Sequence, residues 1–400
     1  MKKNKAPSLF LIMTLVLFPQ ISETIFTPTL SDISKAMRVS ASTTQLMLST
    51  YFIGFAIGVF CWGWLSDRSG RRPAMLSGIL IYGIGSLLCY FANSIEFLLF
   101  SRFIQAFGAS AGSVITQTII RESIDGNKKS VVFAQISAAI AFAPAAGPLL
   151  GGWIDQLFGF KSVFFTLVIM SAVIFVYALT ALSETRIVSK VNQKIGIFSV
   201  FTCMIKNPKV LTYGLLIGGA NGILFSYYGE APFIFIDYFK ISPGLFGFLG
   251  IIVALSSILG ATISKRLLTI FEPEKIINTG CLVMTIGAII LSVITLVGTQ
   301  PTLLYVVAIL IAIFILFLGI GVTLPNCLSL ALVDFQDVIG TAGSVFGLGY
   351  YLIVTFITWG MSQIHTGSLV EMPIYFLVLS IIMTVMSRAF IYIPNVKKTA

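Results

Sequence analysis

Charge is scarce in this chain of 400 residues. Aspartate, glutamate, lysine and arginine make up 10% of the sequence, hydrophobic residues make up 57%, and the mean hydropathy is +1.00. A soluble domain carries about 25% charged residues, so an ordinary soluble protein is excluded. Several uncharged runs reach about twenty residues, enough as a helix rising ~1.5 Å per residue to cross ~30 Å of hydrocarbon. The composition therefore predicts an all-α membrane protein.

Histidine is almost absent, and so are the motifs of several enzyme classes. The only histidine, His365, cannot form a two-histidine zinc motif. No G-x-x-x-x-G-K-[ST] phosphate loop occurs, and the G-x-G patterns lie inside apolar runs without the strand that a dinucleotide fold requires. The five cysteines lack metal-ligand spacing, which favours free thiols. We therefore expect no enzyme activity, no metal and no cofactor.

Charge clusters and breaks rich in glycine, proline and asparagine divide the chain into twelve apolar spans. They are predicted near residues 8–30, 42–65, 73–93, 96–121, 130–153, 160–182, 209–236, 243–266, 273–298, 301–331, 338–362 and 371–393. The longest polar interruption separates two sets of six spans. This division predicts an N-terminal six-helix bundle over 1–182, a cytoplasmic linker over 183–208 and a C-terminal six-helix bundle over 209–400.

Lysine and arginine are distributed unevenly between the two predicted sides of the membrane. With both termini on one side, that side carries twenty of the 25 basic residues and the other carries four, while Arg102 lies within a span. The positive-inside rule therefore predicts cytoplasmic termini. The net charge of +10 then reflects topology, and nucleic-acid binding is not expected because no soluble basic domain is predicted. The lysine-rich start lacks a signal-peptide cleavage site, which favours an uncleaved first span.

A cluster of charge, GWLSDRSGRRP, interrupts the apolar runs at residues 63–73. Its distinctive residues are Gly63, Asp67, Arg68, Gly70, Arg71 and Arg72. Two glycines bring helix ends close, an aspartate can face a positive helix N-terminus, and arginines favour the anionic inner leaflet. A positive-inside loop alone explains the arginines but not the glycines or the aspartate. The cluster resembles the signature G-x-L-x-D-R-x-G-R-[RK] between helices two and three of the major facilitator superfamily.

Other segments resemble the same superfamily. The fourth-span pattern comprises Arg102, Gln105, Gly108 and Gly112, and the fifth-span pattern associated with antiporters comprises Pro144, Gly147, Pro148, Gly151 and Gly152. Further matches are TQLMLSTYFIGFAIG (44–58), RES (121–123), SET (183–185), APFIF (231–235), LPNCLSLAL (324–332) and GTAGSVFG (340–347). Together they resemble the Bcr/CflA-type drug:proton antiporters over essentially the whole chain. The sequence departs from that group at Glu23, where the group usually carries aspartate, and at Glu230, where it carries a small residue.

The resemblance implies a fold, a mechanism and partners. The expected fold is twelve transmembrane helices in two pseudo-symmetric six-helix bundles that rock around a central cavity. The expected function is proton-coupled export of small amphipathic molecules, drugs or toxic metabolites, by a monomer in the bacterial inner membrane. The alternatives are a dedicated metabolite or siderophore carrier, importing or exporting, and a transporter-like sensor or scaffold without flux. Asp67, Arg71 and Glu122 are expected to latch the outward-open state, and the fifth-span glycines and prolines are expected to allow close packing and bending between bundles.

Three ionisable residues fall well inside the predicted spans: Glu23, Arg102 and Glu230. Each costs ~2.5–3.5 kcal/mol at mid-bilayer, so each should face a cavity or a partner. Counting residues places all three ~10 Å below the outer boundary, where they are expected to meet. Glu23 is predicted as the principal proton site, Arg102 as the residue that controls its charge, and Glu230 as an assistant or a site for cationic cargo. The alternative is a permanent Glu23–Arg102 pair that locks the helices.

A further set of polar and aromatic residues within the spans is predicted to line a substrate cavity. The set is Gln45, Gln105, Asn221, Tyr227, Tyr228, Asn326 and Tyr350. Interhelical hydrogen bonding is the alternative for Gln45, Asn221 and Asn326. Aromatic belts at the membrane surface are the alternative for the tyrosines.

Overall fold

The computed structural model describes residues 7–123, 127–186, 197–298 and 302–393. Its first half contains α1 (Leu9–Thr24), a 3-10 turn (Thr27–Thr29), α2 (Leu30–Met37), α3 (Ala41–Ser69), α4 (Arg71–Phe91), α5 (Ile95–Ser123), α6 (Asn127–Phe158) and α7 (Phe160–Ala181). Its second half contains α8 (Ile197–Lys206), α9 (Pro208–Pro232), a π-helical turn (Phe233–Tyr238), α10 (Pro243–Gly247), α11 (Leu249–Leu267), α12 (Pro273–Val297), α13 (Leu303–Leu330), a 3-10 segment (Val333–Val338), α14 (Ile339–Ile364), α15 (Glu371–Ser387) and a π-helical turn (Arg388–Tyr392).

A helix occupies each of the twelve predicted spans. Eleven segments of the described chain are long and apolar enough to cross a membrane, and α6 occupies the position of the remaining span. The first span is longer than predicted, because α1 continues through the turn at Pro28 into α2 and ends at Met37 rather than near residue 30. Proline fits here because it opens a new helical segment, where its missing N–H leaves no bond unmade. The predicted all-α membrane fold is confirmed.

Helices of each half of the chain pack around one helix of that half, and the two halves meet along two seams. In the first half α5 packs against α1, α3 and α4, and in the second half α13 packs against α9, α11 and α12. One seam joins α3 to α14, and the other joins α6 to α10 and α11. The five cysteines are free, as the sequence predicted. Residues 187–196 of the predicted linker lie outside the described residues.

The two ends of the molecule differ in what they contain. The linker end carries the turn at Gly70 between α3 and α4, the residues that follow α7, and α8. The far end carries Lys35 of α2, Asp237 and His365, which directly follows α14. The two seams run between these ends, so contacts across them decide which end is closed.

Candidate functional site

A cavity of about 80 Å³ lies between the two halves. It is lined by Gln20, Glu23 and Thr24 of α1, by Asn221, Leu224, Phe225 and Tyr228 of α9, and by Tyr351 of α14. One water molecule needs ~10–15 Å³ of such space, so the cavity has room for several. Of the lining residues, Glu23 is the only one with an ionisable carboxyl.

Glu23 is buried without a full set of partners. Glu23 is 3% exposed, and its Oε1 atom has no hydrogen-bond partner. Arg102 is near enough to act on it electrostatically, but among the described residues no ion pair within 4 Å joins the two. The alternative, a permanent Glu23–Arg102 ion pair that locks the helices, is therefore absent from this arrangement of the described residues.

Arg102 is held by aromatic rings and by an amide. Its guanidinium carbon lies 3.8 Å from the ring centre of Phe26 and 4.3 Å from that of Tyr51. Its Nη1 atom donates to Gln105 Oε1, and Gln105 Nε2 donates to Ser86 Oγ at 2.8 Å. Desolvated cation–π contacts contribute about 2 kcal/mol, which offsets part of the cost of burying this charge. Nε and Nη2 of Arg102 have no partner, so a carboxylate that approached would find two free donors.

Glu230 belongs to a different cluster. It is 1% exposed, its Oε2 atom accepts from Nε2 of Gln45 at 2.6 Å, and its Oε1 atom lies 2.7 Å from Nδ1 of His365. The prediction that all three intramembrane charges meet is therefore wrong for Glu230. Both carboxylate oxygens of Glu230 are used by Gln45 and His365, so neither is left for Arg102.

The predicted amide residues have separate roles. Asn221 lines the cavity and donates to the carbonyl of Ile217 on its own helix. Asn326 is buried in the second half, where Nδ2 donates to Ser264 Oγ at 2.7 Å and so links α13 to α11. Gln45 joins the two halves through Glu230, and Gln105 positions Arg102. Gln45 and Asn326 thus form interhelical hydrogen bonds, which was the alternative to a cavity role, whereas Asn221 lines the cavity.

The predicted tyrosines lie inside the protein rather than at a membrane-surface belt. Tyr227 and Tyr228 are each 1% exposed and pack with ring centres 5.5 Å apart, and Tyr228 lines the cavity. Tyr350 is half-buried, with its ring centre 4.4 Å from that of Tyr351, the cavity residue of α14. Aromatic rings therefore cover the side of the cavity formed by the second half.

The charge cluster of residues 63–73 forms a network at the linker end. Arg71 is buried, its Nη1 atom lies 2.6 Å from Asp67 Oδ1, and its Nη2 atom lies 2.7 Å from Glu122 Oε1. These three residues come from α4, α3 and α5, all in the first half. The exposed Arg68 guanidinium lies over Trp64 at 4.2 Å, and the Arg72 guanidinium donates to the carbonyl of Leu179.

Glu184 completes this network from the chain that follows α7. Its carboxylate accepts from the backbone N–H groups of Arg71 at 2.9 Å and Arg72 at 3.2 Å, at the N-terminus of α4. It also packs against Gly70, whose φ of 101° suits glycine. Burial raises the pKa of Glu184, but hydrogen bonds from Arg186, Arg71, Arg72 and Thr185 outweigh burial and hold that pKa below its usual range. Glu184 is therefore an ionised N-terminal cap.

The fifth-span residues face two different neighbours. A Cβ atom on Gly147 would overlap Thr24 Oγ1, and one on Gly151 would overlap the carbonyl oxygen of Ile25, so both glycines pack against the first span of the same half. A Cβ on Gly152 would instead overlap the carbonyl oxygen of Pro243 in the second half. The carbonyl of Pro148 packs against Gly247, also in the second half, and Pro144 lies on the same helix.

Contacts across the α3–α14 seam reach both ends. At the linker end, Gly63 packs against Ser344, where a Cβ on the glycine would lie 2.7 Å from Ser344 Oγ. At the far end, Ser42 Oγ donates to the carbonyl of Ser362.

Sequence reasoning missed several residues that complete these sites. From the sequence, His365 is assigned no role beyond excluding a two-histidine zinc motif, although it lies three residues beyond the predicted span 338–362 and is the only histidine. Glu184 was seen only as part of SET, although a carboxylate just beyond a span can cap a helix. Phe26 and Tyr51, which hold Arg102, gave no signal in a sequence with 34 phenylalanines and 13 tyrosines.

Comparisons with known proteins agree with this architecture. A family model described as the Major Facilitator Superfamily matches residues 12–358. An uncharacterized transporter of Rickettsia bellii is 34% identical over 382 residues, which cover 94% of each chain. A chloramphenicol resistance protein of Pseudomonas aeruginosa is 26% identical over 378 residues, covering 94% of this chain and 88% of that protein. The crystal structure of a D-xylose-proton symporter has a TM-score of 0.79 at 14% identity, covering 96% of this chain and 97% of that one, and shares the fold.

Proposed function

This chain belongs to the Major Facilitator Superfamily, and on that premise we propose that it is a secondary transporter that couples export of small amphipathic molecules to proton uptake. The observation that carries the proposal is the buried carboxyl of Glu23, which faces a cavity between the two halves and has an oxygen without a partner. Relatives named for drug resistance support the export of amphipathic cargo.

The chemistry of the cavity supports cargo with an aromatic or apolar body and a polar or cationic group. Phe225, Tyr228 and Tyr351 offer rings, Gln20 and Asn221 offer amides, and Glu23 offers a carboxyl. Ligand pockets usually measure ~300–1,000 Å³, so a cavity of about 80 Å³ must widen before it admits cargo. Widening requires the two halves to move apart at one end, as alternating access demands.

Glu23 supplies a means of coupling. An apolar surrounding favours the neutral carboxyl, and the nearby Arg102 guanidinium favours the carboxylate, so a small movement between them changes the charge of Glu23. Ionised Glu23 attracts a cationic or hydrogen-bonding cargo, and a proton on Glu23 releases it. Arg102 then controls the affinity of Glu23 for its proton without forming a permanent pair.

Orientation and latch follow from the charge distribution. The excess of lysine and arginine at the linker end supports a cytoplasmic linker and cytoplasmic termini in a bacterial inner membrane. Asp67, Arg71 and Glu122 are proposed to contribute to the latch of the outward-open state only indirectly, by holding the linker ends of α3, α4 and α5 together. Because their ion pairs lie within the first half, the contact that would latch the second half is that between Gly63 and Ser344.

The test is proton-driven transport in proteoliposomes with chloramphenicol as a neutral probe and ethidium as a cationic one. Glu23→Gln should abolish probe accumulation driven by a pH difference while keeping some probe binding. The reason is that a glutamine amide does not take up or release a proton near neutral pH. Glu96→Gln, which removes an exposed acid of α5, is the matched control and should transport normally. A Glu23→Gln protein that still accumulates either probe against its gradient would refute the assignment.

A further inference from the structure

We propose that His365 and Glu230 together bind a proton at the far end, and that this proton stabilises the closed far end through the bond between Glu230 and Gln45. The proposal rests on the proposed antiport function for its place in a transport cycle. The proton site itself rests on the geometry of the far end.

The site joins three elements from both halves. Glu230 lies on α9 and His365 directly follows α14, both in the second half, whereas Gln45 lies on α3 in the first. The two oxygens of Glu230 are both used, one toward His365 Nδ1 at 2.7 Å and one by Gln45 Nε2 at 2.6 Å. Phe233 covers the imidazole with ring centres 5.5 Å apart. Glu230 therefore bridges the seam only while the far end is closed.

Burial makes the charge of this cluster matter. The side chains of His365 and Glu230 are 9% and 2% exposed. With a neutral imidazole the cluster holds one buried negative charge without a counter-charge, which is unfavourable. With a proton on the imidazole the same contacts become an ion pair with no net charge. The closed geometry is therefore suited to the protonated cluster.

Few other charges act on His365. Among the described residues, Glu230 acts on it from α9 and Glu371 from the start of α15. From α3, the neutral Gln45 bonds to Glu230 and the neutral Ser42 bonds to the carbonyl of Ser362. Burial lowers the pKa of His365, but the hydrogen bond and charge of Glu230 and the charge of Glu371 outweigh burial and raise that pKa above its usual value. At the same end Lys35 and Asp237 neutralise each other at 2.7 Å.

The sign of the pH dependence follows from linkage. When the far end opens, water enters and solvates Glu230, so a neutral imidazole no longer leaves a carboxylate buried without a counter-charge. The closed state then binds the proton more tightly than the open state does. Closure is favoured fully below the open-state pKa and loses this support as pH rises through the closed-state pKa. In an exporter, a proton taken up at the open far end would drive the return to the closed state.

The first experiment observes the proton directly. Because the chain has a single histidine, ¹⁵N-histidine labelling reports His365 alone, provided that the purification tag contains none. In nanodiscs we expect its NMR titration above pH ~6.5, and we expect Glu230→Gln to lower the midpoint by about one pH unit or more. Glu371→Gln, which removes a nearby carboxylate that does not touch the ring, should lower it less. A midpoint at or below 6.5, or one that Glu230→Gln leaves in place, would overturn the proton site.

The second experiment follows the far end. Spin labels on Phe91→Cys of α4 and Leu296→Cys of α12, two exposed positions at the far ends of outer helices, measure the separation of the halves after the native cysteines are replaced. The longer distance should gain population between pH about 5.5 and 8.5 in the parent protein, and His365→Gln should remove this dependence.

Gln45→Met separates the proton site from its effect. It keeps the His365–Glu230 pair but removes the bond across the seam, so the histidine titration should persist while the pH dependence of the distance is lost. A distance that responds to pH equally in Gln45→Met and the parent would overturn the bridging role. Neither experiment needs cargo or transport. Both therefore test the far-end proton site even if the assignment of Glu23 as the transport proton site is wrong.

Discussion

The far end and the linker end both gather polar side chains, but they connect different parts of the molecule. At the far end the bonds cross between the halves: Gln45 to Glu230, Ser42 to Ser362, Lys35 to Asp237, and the backbone N–H of Gly244 to Gln156 Oε1 at 2.9 Å. At the linker end the ion pairs of Arg71 with Asp67 and Glu122 stay within the first half.

This difference separates contacts that must break during transport from contacts that need not. Alternating access moves one half against the other, so every far-end bond across a seam opposes opening of that end. The Arg71 network moves with its own half and can persist throughout the cycle. Substitutions at the far end should therefore shift the balance between conformations, and substitutions in the Arg71 network should change the stability of one half.

The largest expected effect comes from removing Arg71. Arg71 is buried and the side chain of Glu122 is 18% exposed, so deleting the arginine leaves a partly buried carboxylate without its cation. Breaking a fully buried pair costs about 3–5 kcal/mol, which is the upper bound for this change. Arg71→Gln should lower the melting temperature in detergent by several degrees. Arg68→Gln removes the same charge from an exposed position of the same cluster and should leave the melting temperature nearly unchanged. Equal decreases in melting temperature in the two variants would show that stability depends on the net charge of the cluster and not on the ion pairs of Arg71.

Two adjacent glycines of α6 allow a contact within one half to be compared directly with a contact between the halves. In Gly151→Ala the new methyl meets the carbonyl of Ile25 in the same half, and in Gly152→Ala it meets the carbonyl of Pro243 in the other half. Overpacking costs about 1–3 kcal/mol in either place. Gly151→Ala should therefore lower the melting temperature, whereas Gly152→Ala should mainly lengthen the Phe91–Leu296 label distance by opening the far end.

The prediction for Gly151→Ala and Gly152→Ala would be contradicted if the two variants behaved alike. If both alanine variants lower the melting temperature to the same extent and neither changes the label distance, the two halves act as one rigid unit at this seam. The division of roles between neighbouring glycines would then be wrong.

The fold was largely readable from the sequence, and the sites only partly. Apolar length and charge clusters located all twelve spans, because a helix in lipid must be long and uncharged, and the motifs of residues 63–73 and 144–152 predicted the family that the comparisons confirm. Depth counted along single helices failed to predict which charges meet, because it says nothing about which way each side chain faces. The partnership of Glu230 with Gln45 and His365 depends on how α3, α9 and α14 cross, which periodicity does not encode.

The smallest expected effect concerns Lys35 and Asp237, which bridge the halves at 2.7 Å but are 63% and 32% exposed. Exposed pairs contribute about 0.2–1 kcal/mol, so Asp237→Asn should raise the open population of the far end by no more than about fivefold at low salt. The asparagine oxygen still accepts the Ser31 hydroxyl, so only the charge is tested. Asp32→Asn removes an acid 3.9 Å from Lys35 within the first half and should leave the label distance unchanged. At about 1 M salt, where screening acts within ~3 Å, the effect of Asp237→Asn should disappear. An effect that survives high salt, or one that Asp32→Asn reproduces, would mean that this pair does not hold the halves together by its charge. The polar closure of the far end would then depend on its other three bonds, Gln45 to Glu230, Ser42 to Ser362 and Gly244 to Gln156.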